Sequence, residues 1–443
     1  MQRQRGGRTL RERIKTVILL LLVMLSLYLT VRLIFGQPYL ETATRPEYEQ
    51  VTFGSLKPVE EIIAPVIRLG EGNTWKQVFP WSGHYKKTWD WCRHLLNPSQ
   101  TPEKSDAPDF QTGKTIEVVF PVNMDPSLWF AGSTIKDLSL KTVVYFTEDE
   151  DAVWYEDSQG EWWRSQNHYF RPGWAEEAEK YFAGADTFYA VVAEDLAPFA
   201  AGDRKILLPE KNPVMSSYTV EREKLDEEKL LLSFFVNMAT VRRIEERDGA
   251  VIYTDGQKGL RHYPDGEFHF TVPANEPGTR YLKPAEILRV AAEYLHLMGG
   301  WPAGLYLWKI NSGFPAFSRR EQRYNCELVF YCVQQGCRLV SPSPPVKILL
   351  SDKGIINYNR QILLLAEPLG QPLSLIEPKE ALVVIAENTE RHAELQVTDI
   401  APVYFLDTGS ETMILARPAW QVSFGRMSAF IDGFSGKYLG WLE

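Results

Sequence analysis

Ser133-Thr-Ile-Lys136 and Ser165-Gln-Asn167 are the two places where this chain spells a known catalytic pattern. They match S-x-x-K and S-x-N, two pieces of the serine acyl-transfer site of penicillin-binding enzymes. That chemistry needs a serine at a helix start, a lysine one turn on, and a Lys-Thr-Gly strand closing the pocket. No Lys-Thr-Gly occurs in the chain. Ser133 also leads quickly into a strand expected at 142–147, which leaves no room for a long helix. Both patterns are read as chance.

Metal chemistry fares no better. The histidines at 84, 94, 168, 262, 269, 296 and 392 form no H-E-x-x-H and no pair at metal spacing. His262 and His269 flank an Asp265-Gly266 turn and are placed to face each other across a hairpin, but no further ligand stands out. Glu148-Asp149-Glu150-Asp151 lacks the spaced ligands and glycine of a calcium loop and reads as a charged turn. There is no G-x-S-x-G and no glycine-rich phosphate loop. The four cysteines make no C-x-x-C pair. A hairpin turning at Gln334-Gln335 sets Cys332 opposite Cys337, whereas a turn at Gln335-Gly336 does not; four free, mostly buried thiols are the expected state. No catalytic, cofactor-binding or metal-binding residues are expected, and the chain is read as a non-enzyme.

Stepping outward, the elements that would hold any site begin at a membrane. Residues 1–16 carry Arg3, Arg5, Arg8, Arg11, Arg13 and Lys15 against Glu12 alone. Val17–Phe35 is then an apolar run with one charge, Arg32, near its far end. At about 1.5 Å per helical residue it matches a hydrocarbon core of ~30 Å. The basic flank places the amino terminus in the cytoplasm and the rest outside. No small-residue cleavage site follows, so residues 17–35 are read as an uncleaved transmembrane anchor. The remainder of the chain holds 42 basic and 56 acidic side chains, a net of −14. So acidic a body repels phosphate backbones, which excludes nucleic acid as a partner.

Residues 36–58, with Pro38, Pro46 and Pro58, form a juxtamembrane linker. Residues 59–210 form a first, α/β domain holding 9 of the 13 tryptophans. Helices are expected near 83–97 and 173–184, with strands near 115–122, 142–147, 152–156 and 187–193. Asn97–Gly113 reads as a loop. Exposed indoles stack on sugars, so this domain also raises a second reading, a wall-glycan platform; buried indoles are ordinary core.

A central module spans 211–312. Leu230–Val236 is an apolar run of strand length. Asp248-Gly249, Asp255-Gly256 and Asp265-Gly266 then punctuate a meander of short antiparallel strands. A helix follows over Pro284–Met298, with Ile287, Leu288, Ala291, Ala292, Leu295 and Met298 on one face. In the C-terminal module, 313–443, Ile376-Glu-Pro378-Lys-Glu380-Ala-Leu382 repeats Leu282-Lys-Pro284-Ala-Glu286-Ile-Leu288. Each copy precedes a β segment: Leu305–Ile310 after the first, Thr398–Leu406 and Met413–Phe424 after the second. The expected architecture is α+β: one membrane helix, then about three exterior domains, the last two being similar sheet-plus-helix modules.

Several stretches together carry a family likeness: the anchor's Leu25-Ser-Leu-Tyr-Leu-Thr30, Val241-Arg-Arg-Ile244, Tyr253-Thr-Asp-Gly256 and Gly259-Leu-Arg-His-Tyr263. With the basic tail and short stem, they resemble the YycH family. Its members are membrane-anchored accessory regulators of the WalK–WalR (YycG–YycF) two-component system of low-GC Gram-positive bacteria. Ile355-Ile-Asn-Tyr358-Asn-Arg360, Val403-Tyr404, Pro418-Ala-Trp420 and Phe430-Ile-Asp-Gly-Phe-Ser-Gly436 are similar to the ending of YycI, that family's usual partner. The resemblance implies an exterior that binds a YycI-like membrane protein and acts on a WalK-type (YycG-type) sensor histidine kinase. It brings no catalytic residues, because the family has none to carry over.

Overall fold

The structure is a computed structural model that describes residues 14–15, 17–26, 28, 53–96, 101–107, 113–123, 140–147, 152–157, 159–166, 173–202, 205–272, 280, 282–312, 325–390, 394–407 and 413–442. It divides into two compact units, Met1–Gln50 and Val51–Glu443. In the first unit, residues 14–15, 17–26 and 28 are helical and exposed. Among the described residues no helix is both long and apolar enough to cross a membrane. Residues 27 and 29–35 of the expected anchor and 36–52 of the expected linker lie outside the described residues.

The second unit is α+β and mostly strand. Its first sheet runs Leu207–Pro209, Asp186–Ala190, Thr74–Val78, Val66–Glu71, Lys114–Val119, Leu140–Thr147, Ala152–Asp157, Trp162–Gln166, Glu103–Ser105. Every pair in it is antiparallel. The helices Tyr85–Leu96 and Trp174–Tyr181 stand where the sequence puts them. Trp91 of the first stacks on Tyr181 of the second, with ring centroids 4.7 Å apart. The stretch read as a loop, Asn97–Gly113, contributes the edge strand Glu103–Ser105, because the charged, exposed Glu103 and Lys104 suit an edge beside Trp162–Gln166.

The second sheet starts with the expected meander: Arg242–Glu245, Val251–Thr254, Gly259–His262, Phe268–Thr271. Only the glycine of each Asp-Gly pair takes a positive φ, 84° at Gly249 and 89° at Gly256 and Gly266. Each aspartate instead accepts from a backbone amide just beyond, Asp248 from Ala250 at 3.1 Å and Asp255 from Gln257 at 2.9 Å. The sheet continues through Gly354–Arg360, Val346–Ser351, Cys326–Gln334, Cys337–Val340, Asp399–Asp407, Ile414–Phe424, Val214–Arg222 and Leu363–Ser374, with Cys337–Val340 and Asp399–Asp407 paired in parallel. Strands from 211–312 and from 313–443 therefore share one hydrogen-bonded sheet.

One element departs from expectation. Leu230–Val236 is not a strand: Glu227–Phe234 is a helix, with Asp226 accepting from the Lys229 amide at 2.8 Å. The cap, together with Glu227 and Glu228 in the first turn, favours a helix start there. Leu230, Leu231 and Phe234 then lie on one buried face, while Leu232 and Val236 point outward. A continuous apolar run cannot distinguish these states by periodicity alone.

Both proline-started helices are present, Pro284–Leu297 and Pro378–Glu387. Ile287, Leu288, Ala291, Ala292 and Leu295 are buried in the first, and Pro378, Ala381, Leu382 and Ile385 in the second. Each fully buried Leu or Ile contributes about 1.5–3 kcal/mol. The N-terminal domain is tied to the C-terminal module around the second helix. Ala200–Ala201 pairs in parallel with Gln396–Val397, and Lys379 Nζ reaches Asp195 Oδ1 at 2.7 Å.

Candidate functional site: a cleft between the two sheets

The patterns that promised catalysis do not assemble. Ser133, Lys136, Asn167 and Glu148–Asp151 lie outside the described residues. Ser165 is buried within its strand, and its Oγ donates to the Gln166 carbonyl at 3.2 Å. His262 does not face His269, because the strand register sets His262 opposite Phe268 and Arg261 opposite His269. His269 Nε2 instead meets Glu267 Oε1 at 2.6 Å. Among the described residues no three metal-ligating side chains gather.

The cysteines are all free. The hairpin turns at Gln335-Gly336, so Gln334 pairs with Cys337 and Cys332 with Leu339. Burial pushes the Cys326 and Cys332 thiols up to about 12 and Cys337 up to about 11. At neutral pH these are thiols, not the thiolates that nucleophilic chemistry requires.

The described tryptophans of the first domain are buried or half-buried. Trp75, Trp89, Trp154 and Trp174 are buried, and Trp81, Trp91, Trp162 and Trp163 half-buried. The exposed indole among the described residues is Trp308, 41% accessible, in the later strand Leu305–Ser312. There the register against Cys326–Gln334 slips between Leu307 and Lys309, so Trp308 occupies a bulge. Bulges commonly re-aim a side chain beside a functional surface.

Trp308 borders a cleft of about 1080 Å³ lined by residues of both sheets. The N-terminal sheet supplies Phe79, Trp81, Phe188 and Arg68; the second supplies Tyr331, Tyr404 and Arg338. Phe79 and Trp81 stack with centroids 4.9 Å apart, and Phe188 meets Phe79 edge-on at 6.2 Å. Trp81 also meets Tyr306, and Tyr306 meets Tyr331, at 5.4 and 5.9 Å. An unbroken run of rings thus joins the two sheets behind the cleft.

The two arginines lining it are paired. Arg68 donates to Glu117 at 2.7 Å and to Gln77 at 3.0 Å. Burial alone would raise the Glu117 carboxyl, but the Arg68 and Lys205 charges carry it below its usual range. Arg338 lies 3.6 Å from Asp399. Burial pushes the Tyr331 hydroxyl up to about 12, which keeps it a neutral hydrogen-bonding group. Aromatic rings and arginines around a concavity are the composition of a binding hot spot. No stretch of the chain signals this cleft, since its lining comes from distant segments.

No family model and no curated protein sequence matches the chain. Among solved structures, YycH from Bacillus subtilis superimposes with a TM-score of 0.60 at 14% identity, over 88% of this chain and 98% of that one. An uncharacterized protein from Eubacterium rectale gives 0.38 at 11% identity, over 57% and 93%. The C-terminal domain of YpeB from Bacillus megaterium gives 0.30 at 11% identity, over 49% and 97%. The fold is thus a two-sheet α+β arrangement of the YycH type, as the sequence motifs implied.

Proposed function

We propose that this protein is a membrane-anchored, extracytoplasmic, non-enzymatic regulator that binds a YycI-like partner. Together with that partner it modulates a WalK-type sensor histidine kinase controlling cell-wall homeostasis. The observation that carries the reading is the YycH fold, shared over 88% of the chain. The Val17–Phe35 run would be the single membrane span, with the basic tail inside the cell and the sheets outside. The repeated proline-started helix and the YycI-like motifs of 313–443 favour a partner built on related modules. The cleft, with its aromatic and arginine lining, is the surface assigned to that partner. Anchoring both proteins in one membrane raises their effective concentration, so weak contacts suffice.

The test is co-purification from membranes with a YycI-like protein and the kinase, beside a chain lacking residues 1–35. Co-purification, with loss of kinase regulation on deletion, is the expected result. Full regulation by the soluble exterior, or turnover of a substrate by the purified protein, overturns the reading. Ser133→Ala is expected to be silent. The alternative, a cell-wall glycan-binding protein using its Trp-rich first domain, loses support from the burial of that domain's described indoles. Sedimentation with purified peptidoglycan distinguishes the two.

A further inference from the structure

The residues that leave the stem do not run straight into the N-terminal sheet. Phe53 first docks on the far end of the Pro284–Leu297 helix, where its amide donates to the His296 carbonyl at 3.2 Å. The Lys229 ammonium lies 4.6 Å above the Phe53 ring. Gly300, with φ +80°, packs so closely there that a Cβ would fall 2.6 Å from the Phe53 carbonyl oxygen. The turn receiving Phe53 is itself fixed. The Gly300 carbonyl accepts from buried Arg360 at 2.7 Å, and the Met298 carbonyl accepts from Tyr358 Oη at 3.1 Å.

Four residues on, Lys57 lies 5.0 Å from the Trp301 ring and 5.5 Å from Tyr306. The short helix Val59–Ile62 packs on Pro284–Leu297, with Ile62 and Ile63 buried. Tyr306 is the ring that Trp81 and Tyr331 of the cleft lining abut.

We infer that Phe53–Ile63 is a strap coupling the membrane stem to the cleft. Displacing Phe53 from the 296–300 turn withdraws Lys57 from Trp301 and Tyr306. The Trp81–Tyr306–Tyr331 wall is thereby loosened and cleft occupancy altered; by reciprocity, a bound partner shifts the strap. A cation held over two aromatic faces away from water is attracted to both, so its withdrawal is felt at the rings. The inference rests on the cleft being the partner's surface.

Hydrogen exchange on the full chain in detergent, with no partner present, tests it. Phe53→Ala and Lys57→Gln should speed exchange several-fold in 53–63, and also in the cleft segments 79–82, 305–309 and 331–338. The strand Trp162–Gln166, near the far edge of the N-terminal sheet, should keep its rate. Gly300→Ala, which pushes against Phe53, should reproduce the effect. Faster exchange confined to 53–63 overturns the coupling, and so does a uniform rise that includes 162–166. Partner capture by the same samples is scored separately: wild type failing to bind a YycI-like protein sinks the function proposed above while the exchange result stands.

Discussion

Pro284–Leu297 and Pro378–Glu387 begin from nearly the same words yet meet different surroundings. The first has Glu286 accepting from the Lys283 amide at 3.1 Å, then ends in a turn held by Arg360, Tyr358 and the strap. Arg360 is almost wholly buried and pairs with Glu223 at 2.7 Å. The second is held by plainer means: Trp420 Nε1 donates to the Ile376 carbonyl at 2.9 Å just before the helix, and Val383 is left 52% exposed. One helix closes a junction between stem, sheet and cleft; the other covers a sheet and ties down the Asp195 turn. A repeated local device specifies a helix and its buried face but not its neighbours. Those neighbours decide whether a helix end becomes a junction.

The comparison breaks most readily at Arg360. Arg360→Ala leaves Glu223 without its partner and the Gly300 carbonyl without its donor, and should lower stability by about 3–5 kcal/mol. Urea unfolding measures it, and a loss below about 1 kcal/mol would mean that the first junction is not sealed by this cation. Next come Leu288→Ala and Leu382→Ala, one in each helix, both almost fully buried. Each should lose about 2–5 kcal/mol, and similar values would show that the helices differ in their ends, not in their cores.

Trp420→Phe removes the bond to Ile376 and leaves a small void in place of part of the buried indole, and should cost about 2 kcal/mol, read as a fall in the protein's thermal midpoint. Smallest is Glu286→Gln. The Lys283 amide hydrogen bond, then Arg280, hold the Glu286 carboxyl below its ordinary 4.5 against partial desolvation. A lowered folded-state value gives stability that is present above about 4.5 and lost as pH falls through the lower value. Because this carboxylate is largely solvated, the effect should be a few tenths of a kcal/mol. A melting midpoint whose dependence between about pH 3 and 5 is unchanged in Glu286→Gln would remove this cap from the contrast between the helices.

Much of the fold was legible because it is local. Asp-Gly dipeptides specify turns within a few residues, and the periodic apolar face of Ile287, Leu288, Ala291 and Leu295 specifies a helix without reference to anything distant. Leu230–Val236 suits either state because its six apolar side chains and Ser233 show no clear period, and the Asp226 cap that decides it lies outside the run. The His262 and His269 pairing depended on a one-residue choice of register that the turn sequence alone does not fix.

By itself, then, the amino-acid order determined the acidic body, the apolar amino-terminal run, the meander, the two proline-started helices and the family likeness. Each is encoded by neighbours within a turn or two, where propensity and periodicity act. Only the tertiary structure decided that Arg68, Trp81, Tyr331 and Trp308 share one cleft and that Phe53 meets Gly300. Such contacts join residues far apart in the chain. They are selected by shape, burial and charge once the sheets have come together, and no short stretch of sequence carries them.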